Sequence, residues 1–143
     1  ELSKATFGLL AEYGFGYDAS QLARDRPYWV EDQGKQTNIV EVPGAWELCD
    51  SAHFLFAYSP VYLVGLSGPS KVEEIWVEDF NGAHDEGGDT SYVLTMHPQI
   101  IGRHHRMQML ERVIQHILEH DGVWFAQMHE IADDFRDRVA IKP

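Results

Sequence analysis

The stretch "TSYVLTMHPQIIGRHHRMQMLERVIQHILEHDGVWFAQMHEIADDF", residues 90–135, decides the fold. In its opening "TSYVLTMH", Tyr92, Leu94 and Met96 alternate with Val93 and Thr95. Apolar character on both faces predicts a strand covered on both sides, as in a parallel sheet under helices. A helix over about residues 103–120 follows, with Met107, Leu110, Ile114, Ile117 and Leu118 on one stripe and Asp121-Gly122 as its stop. "VWFAQM" reads as a second buried strand, and "HEIADDFRDRV" as a last helix with Ile131, Ala132 and Phe135 turned inward. Strand, helix, strand, helix in that order predicts an α/β fold with a parallel sheet and right-handed crossovers. Active groups in such folds gather at the carboxyl ends of strands. His97 stands at such an end.

Upstream, Ser3 is placed to cap a helix over about residues 4–13, with Phe7, Leu10 and Tyr13 at helical spacing and Gly14 as its stop. "FGYDAS" reads as a short buried strand. The segment from Gln21 to Asp50 reads as strands and loops punctuated by Pro27, Gly34, Pro43 and Gly44. "SKVE" at 70–73 has the form of a capping box for a helix over about 71–81, with Val72, Ile75, Trp76 and Phe80 on one face. "GAHDEGGD" then breaks the chain with an acidic, solvated loop.

The 143 residues are in the range of one domain, and 44% apolar with 24% charged residues is ordinary globular composition. A net charge of -12, from 11 basic against 23 acidic residues, disfavours nucleic acid and anionic membrane surfaces as partners. No apolar run reaches the length of a transmembrane helix. Neither an initiator Met nor a signal segment opens "ELSKATFGLL", so the chain reads as an interior part of a longer protein. The single cysteine, Cys49, fits a reducing compartment, with the cytoplasm as the expected location, although secreted enzymes without disulfides also have this composition.

Pro98 pushes the His97 backbone out of the helical region and stops a strand ladder there. A histidine at the rim of a sheet suits general acid work or metal binding, and equally suits closing a strand end by hydrogen bonding; spacing leaves these open. His116 and His120 lie four apart on the long helix but on its expected solvated flank, and His104 and His105 fall in its first turn, so neither pair is a strong metal signal. His129 opens the last helix as a surface residue. "WELCDSAHF" joins Trp46, Asp50 and His53 in a stretch that is neither helical nor cleanly alternating; its Asp either orients a catalytic group or forms a turn. "GGDT" lacks the Lys and helix of a phosphate loop. GxSxG and HExxH are both missing, and Cys49 lacks a cysteine-protease context, so nucleophilic serine or cysteine hydrolysis has no sequence support.

Four segments, "LLAEYGFGYDAS", "DRPY", "WELCDSAHF" and the run from "YVLTMHP" to "HEIADDF", in that order and spacing, resemble the carboxyl-terminal half of polysaccharide deacetylase (NodB-homology) proteins. The likeness is to the branch that holds peptidoglycan deacetylase-like proteins, cyclic imide hydrolases and deacetylase-like allantoinases. It implies that residues 1–143 are the carboxyl-terminal part of a distorted (β/α) barrel. It also implies hydrolysis of a non-peptide C–N bond, in an N-acetyl sugar or a cyclic amide or imide. In metal-using members a divalent ion such as zinc is held by an Asp and two His beside an Asp base. Those ligands belong to the amino-terminal half, so the ion is not expected on this chain alone. Carried onto this sequence, the resemblance makes His97 the general acid toward the leaving nitrogen, Asp50 its supporting carboxylate and Trp46 a wall of the substrate pocket.

Cys49 stands where the family often has a second acidic residue, which puts the supporting role of Asp50 in question, and His104 stands where proline often follows "GR". A partial barrel exposes a sheet edge and an apolar face. The expected partners are therefore a sugar or small-molecule substrate and either a second copy of the chain or the missing amino-terminal half. The competing reading is a non-catalytic fragment that binds carbohydrate or a small amide.

Overall fold

A computed structural model describes residues 2–60, 62–88 and 90–141, which fall into two units. Asp89, within the expected acidic loop, lies outside the described residues. No described helix is long and apolar enough to cross a membrane.

The first unit holds the chain up to Gly44 with Gly88–Ser91 and the stretch from Phe125 onward. Helix α1 (Thr6–Glu12) precedes strand β1 (Tyr17–Asp18) and a hairpin of β2 (Tyr28–Asp32) with β3 (Lys35–Glu41). The hairpin closes through Gln33-Gly34 between the paired Asp32 and Lys35. Both loop residues have positive φ, 50° and 78°, the conformation whose twist matches that of the flanking strands. β1 joins the other side of β3 in parallel, giving the order β1-β3-β2. Val30, Ile39, Val40 and Val42 are fully buried. Helix α6 (Met128–Arg138) packs on β1 and β3, turning Ala132 and Phe135 inward as its spacing predicts. Its start carries a capping box of Gln127 and Glu130. Trp29 meets Phe135 edge-on at 5.5 Å and donates its indole N–H to the Val139 carbonyl at 3.1 Å.

The second unit holds Ala45–Gly87 and Tyr92–Trp124. Its elements are α2 (Asp50–Phe54), a two-stranded antiparallel pair β4 (Phe56–Ala57) and β5 (Leu63–Val64), α3 (Pro69–Glu86), α4 (Pro98–Ile101) and α5 (His104–Leu118). α3 and α5 pack together around Val72, Trp76, Phe80, Met109, Val113 and Ile117. Gly65 passes so close to the Leu55 backbone that a Cβ there would fall 2.1 Å from the Leu55 oxygen, which only glycine permits.

Several sequence expectations are corrected. "TSYVLTMH" is extended but forms only one parallel bridge, Thr95 with Cys49, and "VWFAQM" forms no ladder among the described residues. A strand exists through its neighbour, and alternation reports two covered faces without supplying that neighbour. The described ladders are accordingly mixed rather than all parallel. α3 begins at Pro69 with Gly68 as its cap and runs to Glu86, because proline at the first helical position sets the start and the Ser70–Glu73 box is not formed. Ser3 likewise does not cap α1, whose cap is Ala5. On α5 the buried stripe is Met109, Leu110, Val113 and Ile117, while Met107, Ile114 and Leu118 are exposed. "WELCDSAHF" contains a short helix, α2, with Asp50 as its first residue.

Candidate active site

The parallel bridge between "LCD" and "LTMH" builds the site. The Thr95 N–H donates to the Leu48 carbonyl at 2.9 Å, and the Asp50 N–H donates to the Thr95 carbonyl at 3.0 Å. Asp50 therefore stands at the start of α2 directly beside the end of the extended segment. Pro98 opens α4 and leaves His97 extended, with φ -115° and ψ 122°, as the cap of that helix. The His97 carbonyl accepts the N–H groups of Ile100 and Ile101 at 2.8 and 2.9 Å, so its backbone is held on both sides.

These two backbones bring Asp50 and His97 into a bidentate contact. Asp50 Oδ2 accepts the His97 backbone N–H at 2.8 Å, and Oδ1 lies 2.6 Å from His97 Nδ1. A carboxylate only accepts, so the imidazole carries a proton on Nδ1 and presents Nε2 outward. Asp50 is fully buried, whereas the His97 side chain is 40% exposed. The result is a ring fixed in tautomer and orientation with one nitrogen available to a bound molecule, the arrangement that suits proton delivery. Cys49 is buried beside the pair, its Sγ 3.0 Å from Ser51 Oγ. Trp46 is 67% exposed just upstream, and its carbonyl accepts the Cys49 N–H at 3.1 Å.

Further residues hold this framework. The Glu47 carbonyl accepts from the Trp76 indole at 2.8 Å and contacts His53 Nε2 at 2.7 Å, pinning the turn that leads into Asp50. Arg106 lies over the Phe54 ring at 4.4 Å and donates to the Ile100 carbonyl at 2.7 Å, tying α4 to α2. Its place in the first turn of α5 is visible in the sequence; the partners it reaches are not. Tyr92 donates its hydroxyl to the Trp76 carbonyl at 2.8 Å, and burial raises its pKa.

Solved structures align with nearly all of the chain. A protein assigned as a polysaccharide deacetylase from Mycobacterium smegmatis matches 100% of the chain and 50% of its own, with 32% identity and a TM-score of 0.85. Another so assigned, from Pseudomonas aeruginosa PAO1, matches 96% of the chain and 45% of its own at 26% identity and TM-score 0.79. Among curated proteins, a peptidoglycan deacetylase of Helicobacter pylori is 29% identical over 96% of this chain and 55% of its own length. These matches support reading the chain as part of a polysaccharide deacetylase family protein. Its fold is part of the family's (β/α) barrel type, and the PuuE allantoinase structure, at 23% identity and TM-score 0.79, shares that fold. No family profile matches the chain. It spans about half the length of the curated relatives it matches, 55% of the one from Helicobacter pylori and 39% of a peptidoglycan deacetylase-like protein from Gibberella zeae.

Proteins of this family are generally metal-dependent. Among the described residues one set of ligating side chains converges, Cys49, Asp50 and His97, with donor atoms within 4.8 Å of one another. That set is not the Asp and two His that the resemblance implies: it has one imidazole and adds a thiol. His116 and His120 are not on a solvated flank; they are half-buried and packed edge-on to Phe80, at 5.9 and 5.0 Å. His116 Nε2 pairs with Asn81 at 2.7 Å and His120 Nδ1 with the His116 carbonyl at 2.9 Å, so these rings serve packing.

Proposed function

We propose that the protein containing this chain hydrolyses a non-peptide C–N bond, in an N-acetylated sugar or a cyclic amide or imide, with His97 as general acid. The observation that supports this reading most is the Asp50–His97 pair, in a chain that matches half of several polysaccharide deacetylases. Water adds to the carbonyl carbon, and the C–N bond breaks as a proton passes from His97 to the leaving nitrogen. An amide nitrogen leaves poorly as an anion, so this proton transfer is worth about 10²–10⁴ in rate. Asp50 is the positioning residue: it fixes the ring and stabilises its positive charge before the proton leaves. Trp46 offers an exposed apolar face against which a sugar ring can lie.

The divalent ion, zinc by the family resemblance, would supply an activated water, and its ligands and the base fall in the amino-terminal half. Pairing with that half, or with a second copy, is supported by the exposed Met107, Ile114, Leu118, Trp124 and Phe125. A well-folded monomer of this chain at micromolar concentration contradicts the self-association. The protein carrying both halves should release acetate from N-acetylglucosamine oligomers or open a cyclic imide, and lose that turnover on chelation. Absence of turnover on both substrate classes, with binding retained, assigns the chain to the non-catalytic binding role instead.

A further inference from the structure

We propose that Cys49, Asp50 and His97 form an inhibitory site for a thiophilic divalent cation, one that captures the general acid; the inhibitory part rests on the function proposed above. Three donor types converge within 4.8 Å: a thiol, a carboxylate and an imidazole. When Cys49 and His97 Nδ1 give up their protons, the donors carry two negative charges in total, which a divalent ion neutralises. That neutrality matters because Asp50 is fully buried and Cys49 nearly so, and an uncompensated charge there would be costly. Thiolate with imidazole selects zinc, cobalt or cadmium over magnesium or calcium.

The geometry needs little change. Zinc bonds of about 2.0–2.3 Å place tetrahedral ligand atoms about 3.3–3.8 Å apart. The Asp50 Oδ1 to His97 Nδ1 separation of 2.6 Å must therefore open by about 0.7–1.2 Å. Once the ion replaces the Nδ1–Asp50 hydrogen bond, the His97 ring, 40% exposed, is the member that shifts, and its open side leaves room for a water as fourth ligand. Ser51 Oγ, 3.0 Å from Cys49 Sγ, is placed to donate to the thiolate. The ion takes the place of the Nδ1 proton that Asp50 holds. The imidazole then keeps its remaining Nε2–H tightly and no longer passes it to a leaving nitrogen. Starting from the doubly protonated ring that serves as the acid, binding releases two protons, one from the thiol and one from Nδ1, so occupancy weakens as pH falls.

Cobalt(II) titration of the 143-residue chain tests the site without reference to turnover. Because Cys49 is the only cysteine, a near-ultraviolet thiolate-to-cobalt band reports this site alone. The band should saturate at one equivalent, be displaced by zinc, vanish in Cys49→Ser and weaken at least tenfold in apparent affinity in His97→Gln. Ser51→Ala, which keeps all three ligands, should retain it. Cobalt uptake without the band, or a band whose affinity His97→Gln leaves unchanged, overturns the site. In the protein carrying both halves, zinc beyond the catalytic requirement should lower kcat, and Cys49→Ser should resist that loss. Equal inhibition of both overturns the inhibitory role, while a protein that turns over neither substrate class refutes the proposed function and leaves the cobalt result standing.

Discussion

Asp50→Asn isolates what the buried carboxylate does. In the native pair Asp50 takes two hydrogen bonds from one residue, the His97 N–H at 2.8 Å and Nδ1 at 2.6 Å. The amide can satisfy the backbone donor with its oxygen, which turns its NH2 toward Nδ1. Nδ1 must then accept, and the ring proton moves to Nε2. Two charge-assisted bonds become neutral ones at a loss of about 1 kcal/mol each, partly offset by removing a buried charge, for a net destabilisation of about 1–2 kcal/mol. The catalytic effect should be far larger, a kcat loss of about 10²–10⁴-fold, because the substituted ring sits in place with the wrong tautomer and without its counter-charge. Urea denaturation of the 143-residue chain measures the first effect, and ¹⁵N chemical shifts of the His97 ring read the tautomer directly. A variant that keeps the Nδ1–H tautomer, or a protein carrying both halves that keeps near-normal kcat, refutes the pairing as the source of acid function.

Burial pushes the Glu41 carboxyl up to about 7, against the lowering effect of the Gln21 N–H and with a smaller raising contribution from Asp18. An acid whose folded pKa lies above its ordinary 4.5 stabilises the fold fully below about pH 4.5, and that contribution is lost as pH rises to about 7; at most about 3 kcal/mol is involved. Glu41→Gln should flatten the decline in a denaturation series from pH 4.5 to 7, and an unchanged slope contradicts it. Gly65→Ala should cost several kcal/mol, on the order of 3 or more, because its Cβ meets backbone rather than a movable side chain. Near-native thermal stability would show that the Leu55 backbone yields. Trp76→Phe removes the indole bond to the Glu47 carbonyl and part of a fully buried side chain. It should destabilise by about 1–3 kcal/mol in chemical denaturation; a loss under about 0.5 kcal/mol would mean that His53 alone holds that turn.

The parts of the fold legible in the sequence are those written in local chemistry. Apolar spacing places α5 and α6, and Val72, Trp76 and Phe80 on one face of α3 need no knowledge of what they touch. Pro98 reveals that His97 leaves the helical region. Pairing is less legible, because it depends on chain far away: Tyr92–Met96 alternates like a strand yet, among the described residues, pairs as one only through the Thr95–Cys49 bridge. The wrong stripe on α5 has a similar cause, since Met107 and Met109 are equally apolar and only the opposing α3 decides which is covered. Asp50 carried two readings by spacing alone, orienting carboxylate or turn-former, and its contact across 47 positions to His97 is what the folded backbone adds. Arg106 and Trp76 were missed as supports for the site because their role rests on two carbonyls, those of Ile100 and Glu47, which leave no mark on residue type.

The central claim, that His97 delivers a proton to a leaving nitrogen, is tested most directly by the dependence of His97→Gln on the leaving group. In the protein carrying both halves, kcat/KM should fall about 10²–10⁴-fold for alkyl amide substrates, whose nitrogen cannot leave unprotonated. It should fall far less for an activated aryl amide of the same acyl group, whose nitrogen leaves more readily. An equal loss on both substrates, or near-wild-type turnover of the alkyl amide, would contradict the assignment of His97 as general acid.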